Sequence, residues 1–291
     1  IIESFRSIIL KEVGELAKLF LVILSDLLRD YSLQEPSDLR IRRRKSAWPT
    51  ISLPDKITQE FLKKIKIIEA GFNAHGPLST LAKAVVADGR NLNSVKEAGI
   101  IKSSCDFALT SPPYATALPY IDTQRLSLIW LDLLTPETLR HTEETLIGSR
   151  EAKKSVLDSL SVEMSLNSAL LPGEHIEYCR NLATHVGEAD GFRRRAVPIL
   201  LYRYFNDMFK TFDTVRSIVK KDGFYCLIVG TNKTTLGGTQ FIIDTPRLLG
   251  GLAEKIGWSI QELLPLETYK RYGLHSANSV QEETLLVLKN E

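Results

Sequence analysis

One feature narrows the possible folds more than any other: an amphipathic helical pattern that runs straight into an apolar strand. The helix is RYFNDMFKTFDTVRSIVK, the turn Lys221-Asp222-Gly223, and the strand FYCLIVG. The same alternation recurs on both sides. Upstream, KAVVADGRNL reads as a short strand ending at Asp88, and CDFALT as a second strand. Downstream, the helix DTPRLLGGLAEKIG leads into WSIQELLPL and then ETLLVLK. Strand and helix periods in alternation predict an α/β chain, an open sheet with helices on both faces. The last two strands are joined by ETYKRYGLHSANSVQE with no helical pattern between them, which leaves open an antiparallel pair.

The remainder is predominantly helical. Residues 1–31 carry Ile2, Phe5, Ile9, Val13, Leu16, Phe20, Ile23 and Leu27 at helical spacing. Within them LFLVILS falls far short of the ~20 residues that span a bilayer and reads as buried helix. A polar loop with a basic cluster follows, then the helix DKITQEFLKKIKIIEAG with Gly71 as its expected stop. The 291 residues fit one large domain or two small ones. The expected division is a helical region 1–79, a core of 80–121 with 199–291, and a mostly helical insertion 122–198. A net charge of +2 leaves any anionic partner to local patches. Three scattered cysteines fit a reducing, intracellular setting, and no secretory signal is visible, so a cytoplasmic location without membrane contact is expected. The first residue is isoleucine, so this is expected to be the later part of a longer or processed chain.

CDFALT is followed at once by Ser111-Pro112-Pro113-Tyr114. Proline cannot donate to a sheet ladder, so the pair forms a rigid exit at the carboxyl end of a strand, where α/β proteins place their chemistry. The motif TSPPY resembles the catalytic tetrapeptide of the amino-group DNA methyltransferases, Asp/Asn/Ser-Pro-Pro-Tyr/Phe/Trp. RLSLIWL, IGSRE, DGFYCLIVG and EETLLVLK follow in the order of that family, and the resemblance covers roughly residues 80–291. It implies a Rossmann-like, S-adenosylmethionine-dependent sheet and a base flipped out of duplex DNA. The base would stack on Tyr114. The Ser111 hydroxyl and the Pro112 carbonyl would accept hydrogen bonds from its exocyclic amine, with Pro113 helping to hold that carbonyl in place. Thr110, Ser111 and Asp88 would border the cofactor, although Asp88 reads equally well as a solvated turn residue. No metal and no covalent nucleophile is implied.

The family's sheet has seven strands in the order 3-2-1-4-5-7-6, and this chain offers candidates for strands three to seven. The glycine-rich loop after strand one is not found: EAGFNAHGP lacks a preceding strand, and IVGTNKTTLGGTQF reads as a loop with scattered glycines. Strands one and two are therefore expected from a complementary polypeptide, either a preceding segment or a separate subunit. Three basic clusters are candidate phosphate contacts: Arg42, Arg43 and Arg44; Arg193, Arg194 and Arg195; and Lys270 with Arg271. His275 and Asn278 either line the pocket or shape a turn, and Asp122 and Arg125 either serve the site or pair with neighbours. The leading expectation is a DNA methyltransferase acting on the cytosine 4-amino group. The alternatives are the adenine 6-amino group, a catalytically silent DNA-binding partner, and an RNA base methyltransferase. A restriction-modification role is suggested by the family alone.

Overall fold

The computed structural model describes residues 2–38, 41–76, 82–115, 120–267 and 282–291. In chain order the elements are α1 (Ile2–Glu12), α2 (Ala17–Asp26), α3 (Leu53–His75), α4 (Leu92–Glu97), β1 (Cys105–Thr110), α5 (Tyr120–Trp130) and α6 (Pro136–Thr145). Then come α7 (Lys154–Leu166), α8 (Gly173–Thr184), α9 (Phe192–Arg195), α10 (Val197–Ile218), β2 (Val219–Gly230), β3 (Asn232–Leu236) and β4 (Thr239–Ile243). The chain closes with α11 (Thr245–Ile256), β5 (Trp258–Glu267) and β6 (Glu282–Asn290). They divide into two units: Ile1–Ala84 with Pro119–Glu143, and Val85–Leu118 with Glu144–Glu291.

The first unit is helical. Ile9, Leu24, Leu27, Leu53 and Ile57 form its core, and Phe20 meets Phe61 edge-on at 4.6 Å. The pattern over 1–31 forms two helices instead of one, because Gly14 takes φ 64° between α1 and α2. Helix α3 also departs from expectation. It starts at the Ser52 cap, which accepts from the Asp55 N–H, and it runs through Gly71 to end at Gly76, φ 67°. A glycine is tolerated inside a helix, but only the residue with positive φ needs to be one.

The second unit holds the sheet, in the order β1-β2-β6-β5. β1 lies parallel to β2, while β6 is antiparallel to both β2 and β5. The last two strands thus form the antiparallel pair. With the candidates numbered as the resemblance numbers them, this order is 4-5-7-6. Helix α10 follows its periodicity, burying Leu201, Phe205, Met208 and Phe212. With α11 it covers the sheet face formed by Tyr225, Leu227, Val229, Leu286 and Leu288. Helix α11 has an Asp244 cap, Pro246 in its first turn and Gly257 at φ 100° after its end.

Three expectations change here. Among the described residues α10 and α11 lie on one sheet face, not on both; the opposite face leaves Phe107, Leu109 and Phe224 at 55%, 60% and 39% exposure. Residues 82–88 form no strand, and Val86 is 98% exposed. A strand exists only through its ladder, and none of the described strands lies beside this segment. TNKTTLGGTQF is a hairpin, β3 with β4, turned at Gly237 and Gly238, φ 53° and 80°. Two consecutive positive φ values match the twist of a tight hairpin.

Two glycines give a test of this packing. A Cβ on Gly223 would meet the Asp106 carbonyl and Val219 Cγ1 at 2.8 Å, whereas one on Gly71 would meet nothing within 4 Å. Gly223→Ala is expected to lower unfolding stability by ~1–3 kcal/mol. Gly71→Ala is expected to raise it by ~0.5–1 kcal/mol. Urea denaturation of both variants would read these opposite signs.

Candidate active site

The tetrapeptide leaves the carboxyl end of β1 beside the carboxyl end of β2 and the start of β6. Thr110 is the last ladder residue, registered with Leu227 and half-buried. Ser111 is exposed, and its hydroxyl donates to the Ile228 carbonyl at 3.2 Å. A hydroxyl has one proton. With that proton directed at β2, Ser111 Oγ presents lone pairs to any further partner. Pro112 is buried and Pro113 half-buried, which anchors the turn. Tyr114 packs partly buried against the main core, and its hydroxyl donates to Glu283 Oε1 at 2.5 Å. The structure thus brings Thr110 through Tyr114 together with Ile228 and Glu283.

Asp88 is held elsewhere in the same unit. Arg90 grips both of its oxygens, Nε to Oδ1 at 2.9 Å and Nη2 to Oδ2 at 3.0 Å, and reaches Asp207 Oδ1 at 3.2 Å. The side-chain hydrogen bonds from Arg90 hold the Asp88 pKa below its ordinary value. Burial raises the pKa of Asp207, opposed by Arg90. Asp88 is therefore half of an internal clamp between the 88–91 turn and α10.

The basic clusters separate on inspection. Arg44 donates to the carbonyls of Asp30, Ser32, Ser46 and Ala47 and lies over Trp48 at 4.4 Å, so its guanidinium is part of the loop's framework. Arg42 pairs with Asp38 at 2.8 Å, while Arg43 is exposed. In α9, Arg195 donates to the carbonyls of Asp190 and Glu188, and Arg193 stands 3.7 Å from Glu151. Arg194 is exposed. Asp122 and Arg125 pair with each other at 2.8 Å. Lys270, Arg271, His275 and Asn278 lie outside the described residues.

Sequence reading missed three participants. Glu283 carries no local signal. Arg90 sits in an ordinary turn. Asp190 is buried, and its Oδ2 accepts the N–H groups of Gly187 and Gly237, each at 2.8 Å, which lowers its pKa. The Gly237-Gly238 pair between β-prone threonines was the available signal for that hairpin.

No protein-family profile matches the chain, and no curated protein matches it. Among solved structures, a protein of Thermus thermophilus named as a DNA modification methylase is 11% identical, with a TM-score of 0.33. The match covers 70% of this chain and 50% of that one. The same protein complexed with S-adenosyl-L-methionine gives a TM-score of 0.35 at 11% identity, covering 70% and 51%. The chain thus spans about half the length of that protein, and overlaps this loose bear no weight on the site.

The Asp88–Arg90–Asp207 clamp predicts a pH signature. Arg90→Ala leaves Asp207 with its burial less compensated, at an expected cost of about 1–3 kcal/mol at neutral pH. A carboxylate whose folded pKa is raised destabilises above that pKa and is harmless below its ordinary value. The stabilising share of Asp88, whose pKa is lowered, persists above its ordinary value and is lost only in stronger acid, so the signature above pH 4 comes from Asp207. The deficit of the variant against the parent protein should therefore shrink as pH falls from 7 toward 4. Denaturation curves across that range would show it, and a constant deficit would exclude this coupling.

Proposed function

We propose that this chain is the base-holding part of an S-adenosylmethionine-dependent DNA methyltransferase, acting on an exocyclic amine. The observation that carries the reading is the Ser111 hydroxyl. Its proton is directed to the Ile228 carbonyl at 3.2 Å, so its oxygen is a fixed acceptor at the carboxyl end of a parallel strand pair. An amine on a flipped base needs such an acceptor. The Ser111 oxygen and the Pro112 carbonyl take its two N–H hydrogens and so aim its lone pair away from the base plane. Tyr114 supplies the face on which the base lies, worth ~1–3 kcal/mol per stacked base. The two prolines fix this geometry before substrate arrives.

S-adenosylmethionine, when bound, would supply a methyl group on a sulfonium whose sulfur leaves with the electrons of the broken bond, and the surplus amine proton would pass to water. The residues of this chain fit the amine side of that reaction. On the cofactor side Thr110 and Ser111 would border the group, but Asp88 has both oxygens held by Arg90, and the sequence offers no glycine-rich loop. A complementary polypeptide supplying strands one and two would add that loop next to β1. Exposed Phe107 and Leu109 on this edge strand support such a neighbour. The serine in first position favours the cytosine 4-amino group over the adenine 6-amino group. For the phosphate backbone, the candidates are the exposed Arg43 and Arg194, together with Lys270 and Arg271.

The test is methyl transfer to unmethylated duplex DNA, with the chain alone and with the polypeptide that precedes or accompanies it, followed by mass analysis of the nucleosides. Transfer that requires both pieces and yields N4-methylcytosine is the expected result. Ser111→Ala should lower the rate at least tenfold, since one charge-developing hydrogen bond is worth about 1.5–3 kcal/mol. Tight DNA binding with no transfer from either mixture would overturn the reading.

A further inference from the structure

We infer that Glu283 is a positioning residue for the proposed transfer, fixing the ring of Tyr114 through its hydroxyl; this rests on the reading above. Stacking by itself does not require that hydroxyl, since the tetrapeptide pattern admits phenylalanine and tryptophan at the same place. Here it donates to Glu283 Oε1 at 2.5 Å, a short bond to a carboxylate. The carboxylate is carried on firm backbone. Glu283 lies in β6 between two partners, registered with Gly230 of β2 on one side and Leu266 of β5 on the other.

The anchor of Ser111 is close by in the same ladder. Ile228, whose carbonyl takes the Ser111 proton, is registered with Leu285, two residues along β6 from Glu283. The two polar side chains of the tetrapeptide are thus tied to rungs two residues apart on one strand pair. That pair sets the spacing between the amine acceptor and the stacking ring. A ring released from Glu283 keeps its area but loses its orientation, and small misplacements of reacting groups are costly in rate.

The experiment compares Glu283→Ala, Glu283→Gln, Tyr114→Phe and the Tyr114→Phe/Glu283→Ala pair in the transfer assay with the complementary polypeptide present. Glu283→Ala is expected to reduce kcat about tenfold with the KM for S-adenosylmethionine unchanged. Tyr114→Phe should match it, the double variant should be no slower than either single one, and Glu283→Gln, which keeps an acceptor oxygen, should recover most of the rate. Thermal melting of each variant separates this from misfolding, and Tyr114→Phe removes the same bond from the other side. Unchanged kcat in Glu283→Ala, or additive losses in the double variant, would overturn the role of Glu283 while leaving the methyltransferase reading intact. If the parent protein transfers no methyl group at all, that reading fails, and the positioning role falls with it.

Discussion

The sheet and the site both depend on the pinning of β2. It is the strand with β1 on one side and β6 on the other, and its inward side chains Tyr225, Leu227 and Val229 are 3%, 0% and 0% exposed beneath the helices. Each such side chain contributes about 1.5–3 kcal/mol by leaving water. A slip of one residue would turn all three outward. The junction with α10 is stapled as well. Asn290 Nδ2 donates to the carbonyls of Arg216, Val219 and Lys220 at 3.2, 2.9 and 3.3 Å, and Trp258 Nε1 donates to the Phe212 carbonyl at 3.2 Å. Because β2 cannot slide, the Ile228 carbonyl is a fixed point, and Ser111 is registered against it.

Much of this was legible in the residues. Helices α10 and α11 show an apolar stripe, and α11 also has its cap, its early proline and its terminal glycine. β1, β2, β5 and β6 show apolar runs of strand length between turn residues. What escaped was whatever depends on a partner. KAVVAD has the composition of a strand, but pairing makes a strand, and the described residues supply none beside it. Gly71 and Gly76 look alike in sequence; only the backbone angle of the second makes it the stop. The hairpin at Gly237-Gly238 reads as a loop because glycines scattered after a strand suit a phosphate-type motif and a tight turn alike, and only the cross-strand ladder tells them apart.

The arginines show a second limit. Charge runs look alike whether the guanidinium faces solvent or closes a loop. Arg44 and Arg195 use several of their donors on main-chain carbonyls, which the planar, five-donor group is well suited to do. Composition cannot separate them from Arg43 and Arg194, their neighbours in the same runs. The site was legible only in its chemistry: Ser111-Pro112-Pro113-Tyr114 announced itself, whereas Glu283, 169 positions away along the chain, became visible only through the fold.

Pro112 and Pro113 have one more consequence, for the way the sheet can grow. Among the described elements β1 is an edge strand with backbone groups able to recruit another strand, and such edges extend readily. Neither proline has an N–H, so past Ser111 an incoming strand finds no donor until Tyr114. The recruiting edge therefore has a built-in terminus. Whatever aligns along Cys105–Thr110, the hydroxyl of Ser111 and the ring of Tyr114 stay beyond the last rung, at the rim of the sheet.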